Sequence, residues 1–167
     1  MKNLLQITII ATLLFACKSE QKKEVKDEHQ HDKVEKKSTS KKKVLSPHTY
    51  AMAMVGDAHI HIDYSSPGVR GRMIFGGLLA YDEIWQSGAH KATWLETNKD
   101  LLIDGKTLKA GKYGVFTIPS KKDWTVIFNT NWNQHGKDEY NEKDDVLRFK
   151  ITPKLSDEIT EHLVYKV

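Results

Sequence analysis

Histidine and methionine supply the sharpest chemistry in this sequence. Met52-x-Met54 is followed, after a Gly56-Asp57 pair, by His59-x-His61. Imidazole accepts zinc, copper or nickel, and thioether sulfur selects Cu(I), so the four side chains together form a candidate site for one transition metal ion, Zn or Cu. His90 and His135, both beside glycine-containing turns, are further ligands that other loops could supply. The competing account is a solvent-exposed strand face on which His has no ligand and Met packs under a loop. Arg70 and Arg72, two apart, are a candidate clamp for carboxylate or phosphate, or else partners of a sheet-edge carboxylate or of loop carbonyls. Among the four tryptophans, Trp94 and Trp124 fall in alternating runs that suit a core, whereas Trp85 and Trp132 are candidate stacking platforms for a small molecule or glycan. Trp132 sits in an amide-rich stretch, residues 129–136, whose composition suits a binding rim. Ser65 and Ser66 precede Pro67-Gly68 with no G-x-S-x-G frame around them, which favours turn chemistry over a nucleophile. The carboxylate pairs Asp82-Glu83, Asp138-Glu139 and Asp144-Asp145 are adjacent in sequence, so on a strand their members point apart.

The elements that must position these groups are strands. Alternating runs occupy residues 50–55, 58–64, 92–97, 100–103, 112–118, 124–129 and 146–152, separated by Gly, Pro and Asp turn signals. Strands at such spacing indicate an all-β single domain, an antiparallel β-sandwich or a barrel-like relative of one. At most one short helix is expected, near 77–85, where Leu78, Leu79, Tyr81, Ile84 and Trp85 could share a face. A two-residue turn at Gly56-Asp57 would set Val55 opposite Ala58, Met54 opposite His59, Ala53 opposite Ile60 and Met52 opposite His61. The period of two then assigns Ala51, Ala53, Val55, Ala58, Ile60 and Ile62 to the core face, and Met52, Met54, His59, His61 and Asp63 to the other.

The N-terminus carries an address. Lys2 precedes an apolar run of 13 residues, 4–16, which ends at Cys17, the single cysteine. The run is shorter than the ~20 residues that cross a bilayer, so residues 1–16 read as a cleaved signal peptide. Leu14-Phe15-Ala16-Cys17 reads as a lipobox, with Cys17 the lipidated residue and the domain held in the cell envelope, on the outer membrane or its periplasmic face. A lone thiol has no disulfide partner, which agrees with that role. Two or three acyl chains give stable anchoring where one would be marginal. Residues 18–43 hold ten Lys and six Asp or Glu and no aromatic residue. Such a stretch cannot bury enough apolar surface to order itself, so 17–43 is expected to be a lipidated, disordered tether and 44–167 the domain. The pI of 9.0 comes from that tether: residues 44–167 carry 15 basic and 16 acidic side chains. The folded part is not basic, which argues against a nucleic-acid partner.

A run of motifs then points to a family: Ile62-Asp63-Tyr64-Ser65-Ser66-Pro67-Gly68-Val69-Arg70-Gly71-Arg72, Ile74-Phe75-Gly76-Gly77, Ile103-Asp104-Gly105-Lys106-Thr107-Leu108, Ala110-Gly111-Lys112-Tyr113-Gly114-Val115-Phe116-Thr117-Ile118-Pro119 and Asp145-Val146-Leu147-Arg148. Over about residues 45–152 the chain resembles domain of unknown function 2911, found on exported bacterial lipoproteins. The resemblance implies one β-rich extracytoplasmic domain and carries over no catalytic residue or ligand. Similar proteins continue past this C-terminus with further strands, so a last strand is expected to be missing. The expected function is a membrane-anchored lipoprotein with a ligand-binding β domain, its His/Met face holding a metal. Alternatives are a metal-dependent hydrolase with Glu96 or Asp63 as base, and a non-enzymatic glycan or envelope-binding module using Trp85 and Trp132.

Lipidation predicts that Cys17→Ser frees the protein from the detergent-extractable membrane fraction and removes an acyl mass increment seen in the wild type. A variant that stays in the membrane, beside a wild type without that increment, refutes the anchor.

Overall fold

The structure, a computed structural model, describes residues 43–167. The expected signal peptide, Cys17 and the expected tether up to residue 42 lie outside the described residues. In chain order the strands are β1 (His48–Val55), β2 (Ala58–Ser65), β3 (Trp94–Thr97), β4 (Leu101–Ile103), β5 (Lys106–Leu108), β6 (Gly111–Ile118), β7 (Trp124–Asn129) and β8 (Asp145–Ile151). Six form one antiparallel sheet in the order β1-β2-β3-β6-β7-β8, and β4 and β5 form a separate hairpin. The all-β antiparallel expectation holds, in an open rather than barrel-like form. The sheet is an up-and-down meander into which one hairpin has been inserted between β3 and β6.

The β1–β2 hairpin turns at Gly56-Asp57, with Gly56 in the left-handed region at φ 62°. Its register pairs Val55 with Ala58, Met54 with His59, Ala53 with Ile60 and Met52 with His61. β2 alternates accordingly, with Ala58, Ile60, Ile62 and Tyr64 buried while His59 is exposed. The second hairpin turns at Asp104 and Gly105, φ 49° and 71°, a pair of left-handed residues whose twist matches that of the flanking strands.

Two cores follow from this alternation. On one face Ile60, Ile62, Tyr64, Leu95, Tyr113, Val115, Phe128 and Leu147 are covered by Leu108, Leu101 and Ile103 of the hairpin and by Leu163 and Tyr165 of the C-terminal segment. On the other face Phe116, Ile127 and Ala92 form a smaller core with Ile84, Ile118 and Tyr140. That second core lies under loops and leaves the β1–β2 part of the same face open, with Tyr50, Met52 and Met54 exposed.

The helix expected near 77–85 does not form. Residues 73–79 instead make a tight reversal, Leu79 N donating to Ile74 O at 2.8 Å and Gly76 N to Leu79 O at 2.8 Å. Gly76 and Asp82 are left-handed at φ 78° and 63°, which no α-helix accommodates. The 3₁₀ turn at Glu142–Asp144 is the helical element among the described residues. None of their helices is long and apolar enough to cross a membrane.

The hairpin's role as a lid generates a prediction. Leu108 is 1 % exposed and Leu102, on the same hairpin, is 76 % exposed. Leu108→Ala should cost about 2–5 kcal/mol of unfolding free energy through the cavity it leaves, and Leu102→Ala less than about 0.5 kcal/mol. Urea unfolding of the two variants checks this. Equal losses would mean that the hairpin does not seal the core.

Candidate functional site

A concavity lies past the C-terminal end of β2, where the long β2–β3 connection meets the C-terminal segment. It has a volume of ≈ 760 Å³. Its position follows from backbone accounting. β6 is buried, and β3 pairs only with its first half, from Gly111 to Gly114. The remaining β6 groups on that side need partners, because an unpaired buried amide costs as much as a lost hydrogen bond. They find them outside any strand. Val115 N donates to Thr93 O at 2.7 Å, Thr117 N to Trp85 O at 2.9 Å, and Trp85 N to Thr117 O at 2.8 Å. Trp85 is thereby fixed against the sheet, and its indole Nε1 donates to Gly88 O at 3.1 Å. The ring forms a wall of the cleft beside Phe75, whose centroid is 6.1 Å away.

The opposite wall is the loop after β2. Gly68 packs so closely on the C-terminal segment that a Cβ there would stand 2.9 Å from Glu161 Oε1 and 3.2 Å from His162 Cε1. Val69 N donates to Glu161 O, Leu163 N to Pro67 O, and Ser66 Oγ to Leu163 O. Arg72 closes the turn, Nε donating to Val69 O at 3.0 Å and Nη2 to Gly68 O at 2.7 Å. Of the two arginines read as a clamp, Arg72 therefore binds loop carbonyls. Arg70 is exposed, with its side chain in no hydrogen bond or ion pair among the described residues. Its backbone N donates to Glu161 Oε1 at 3.0 Å.

Left-handed backbone is concentrated here. Arg70, Ser87 and His90 have φ of 52°, 56° and 63°. Arg70 and His90 line the cleft, and Ser87 lies between its lining residues Gln86 and Gly88. Each non-glycine residue in that region costs about 1–2 kcal/mol, and such strain persists only where the surroundings enforce it. At Ser87 they do: the residue is fully buried, its Oγ donates to Thr117 Oγ1, and its carbonyl accepts from Thr93 Oγ1 and Tyr165 Oη. Burial raises the pKa of the Tyr165 phenol, which donates to Ser87 O.

The cleft thus gathers Arg70, Arg72, Trp85 and His90. The other candidate residues lie elsewhere. His59 and His61 share the open face of β2 with Met54 and Met52 opposite them. His59 is exposed. The His61 ring is edge-on to Tyr50 at 5.7 Å and to Trp94 at 5.0 Å, and its Nε2 is inaccessible and, among the described residues, unpartnered. His90 is not brought to this face, nor is His135, whose Nδ1 lies 3.2 Å from Asp138 Oδ2. Among the described residues no group of three or more His, Cys, Asp or Glu gathers to hold an ion.

Trp132 is away from the cleft. It meets Trp94 at 6.1 Å, and the Lys112 ammonium lies over both indoles, 3.3 Å from the Trp94 centroid and 3.9 Å from that of Trp132. The amide-rich loop around it is occupied with itself: Gln134 is buried, its Nε2 donates to Asn131 O and its Oε1 accepts from Glu139 N. Sequence reasoning missed the contribution of residues 160–166 to the cleft, a stretch with no strand period to reveal it.

The fold and the cleft define an antiparallel β domain with an amphipathic cavity at one end of an open sheet. The sequence model of a family described as "Protein of unknown function (DUF2911)" matches residues 46–167, and the chain belongs to that family. No curated protein and no solved structure matches the chain.

Proposed function

We propose that this chain is an envelope lipoprotein, anchored through Cys17, whose β domain is a ligand-binding module and whose ligand sits in the cleft beside Trp85. The observation that carries the reading is the cavity itself. At ≈ 760 Å³ it falls within the ~300–1,000 Å³ of small-molecule sites, and it collects four of the residues singled out by their chemistry. Its walls are held by backbone hydrogen bonds, so the site exists before any ligand arrives, which lowers the ordering cost of binding. An uncharged solvatochromic dye, Nile red, should brighten on the chain from Lys18 onward, whose compact unit, Lys41–Val167, contains both cores. Ala89→Trp, which fills the cleft, should weaken that binding about tenfold. Equal dye binding in the two proteins, or none in the wild type, defeats the reading.

A second reading rests on the β1–β2 register. Met52 and Met54 stand opposite His61 and His59, at the ~5 Å Cβ spacing of directly paired residues. Two thioethers and two imidazoles favour Cu(I) over Zn(II). Calorimetric titration under reducing conditions should then show Cu(I) binding tighter than ~100 µM, about 5.5 kcal/mol. It should be lost in the His59→Ala/Met54→Leu double variant. Identical titrations for wild type and variant would leave the face without a metal.

A further inference from the structure

We infer that the cleft takes a single-chain amphiphilic anion, an acyl chain that ends in a carboxylate. The head would lie at Arg70, with Lys166 a further cation of the lining, and the chain along Ile74, Phe75, Leu79 and Trp85. This inference deepens the cleft reading above and rests on it.

Charge carries the argument. Three permanent cations, Arg70, Arg72 and Lys166, line the cavity, and no Asp or Glu does. Yet the folded part as a whole is nearly balanced in charge, with acidic side chains in slight excess from residue 44 onward. Basic side chains are therefore gathered at a place where the surface is also concave and apolar. Arg72 is committed to the carbonyls of Gly68 and Val69. Neither Arg70 nor Lys166 has an ion pair among the described residues, and the Glu161 carboxylate beside Arg70 accepts from its backbone amide. Two cations are thus unspent. A guanidinium fits a carboxylate or a phosphate equally well, so the apolar wall must choose the class. Aliphatic and aromatic side chains reward a hydrocarbon tail, each buried methylene strengthening binding about fourfold. A sugar phosphate or an inorganic anion would leave that wall without a partner.

Placement agrees. Ser46, at the N-terminal end of the domain, lines the cavity, so the cleft lies at the pole where the preceding chain joins. A lipid anchor at the end of the preceding tether would keep the domain within reach of a membrane, which is the source of acyl chains.

The test is calorimetric titration of the chain from Lys18 onward with hexadecanoate below its aggregation concentration, and with hexadecanol as the neutral-headed counterpart. Hexadecanoate should bind about tenfold tighter than hexadecanol. The Arg70→Gln/Lys166→Gln variant should lose about that factor for hexadecanoate alone, at an unchanged thermal midpoint, and Arg70→Lys should retain most of the affinity. Equal binding of acid and alcohol, or a double variant that binds the acid like wild type, overturns the anionic class; Nile red binding in the same protein would show that the cleft reading survives. Co-sedimentation with phosphatidylglycerol vesicles but no binding of free hexadecanoate would also overturn it, in favour of a basic surface that reads lipid headgroups. If neither Nile red nor hexadecanoate binds, the cleft reading fails with it.

Discussion

Everything at the cleft depends on the unfinished pairing of β6. A strand buried on both faces cannot leave its amides bare, and β3 ends before β6 does. The chain resolves this without another strand. Trp85 exchanges two backbone hydrogen bonds with Thr117, and Thr93 accepts one from Val115. The seven residues between Trp85 and Thr93 must then bulge away from the sheet, and the bulge is short enough to force Ser87 and His90 into left-handed backbone. Wall, strain and cavity are one consequence of a single requirement for hydrogen bonding. The Tyr165 hydroxyl, donating to Ser87 O at 2.8 Å, ties the C-terminal segment into the same arrangement.

The parts of the fold that were legible in the sequence are those governed by local rules. The Gly56-Asp57 turn and the alternation around it fix the β1–β2 register residue by residue, because a slip by one would move Ile60 and Ile62 out of the core. β5 escaped notice because it is three residues long with one buried side chain. The apolar spacing in residues 77–85 imitates a helix, but the glycines and the left-handed Asp82 around it commit the backbone to turns, and Trp85 is claimed by β6 instead. Tertiary demand overrode periodicity there. The candidate site was legible by residue type and not by grouping. Arg70, Trp85 and His90 were marked for different chemistries, and only long-range contacts show that they share a cavity. The amides of residues 129–136 imitate a binding rim for a related reason: composition does not reveal whether Gln134 points outward or, as here, serves its own loop.

The two sides of the sheet divide the work. One is sealed by the hairpin and the C-terminal segment. The other is sealed over β6 and β7, and its boundary with the open part is marked by Lys112 between Trp94 and Trp132. Cation–π contacts of this kind contribute about 0.5–2 kcal/mol. The ammonium covers indole faces that would otherwise be available for stacking, so the two tryptophans here act as a clasp between β3 and the loop after β7. The open part retains His61, whose inaccessible Nε2, unpartnered among the described residues, is the kind of buried polar atom that calls for an explanation.

The position of β1 at the edge of the sheet also has a mechanical meaning. Any pull from the chain ahead of it arrives at Pro47 and His48, and from there β1 could be peeled from β2 one pair at a time, the weakest way to load a hairpin. Two contacts stand at that entrance: Ser66 N donates to Pro47 O at 2.8 Å, and His48 Nε2 lies 3.0 Å from Asp63 Oδ1. They act as a latch. A domain tugged from its N-terminal side would have to break them before the first ladder bond of β1 felt the load, so the sheet is reinforced at the end where a leash would attach.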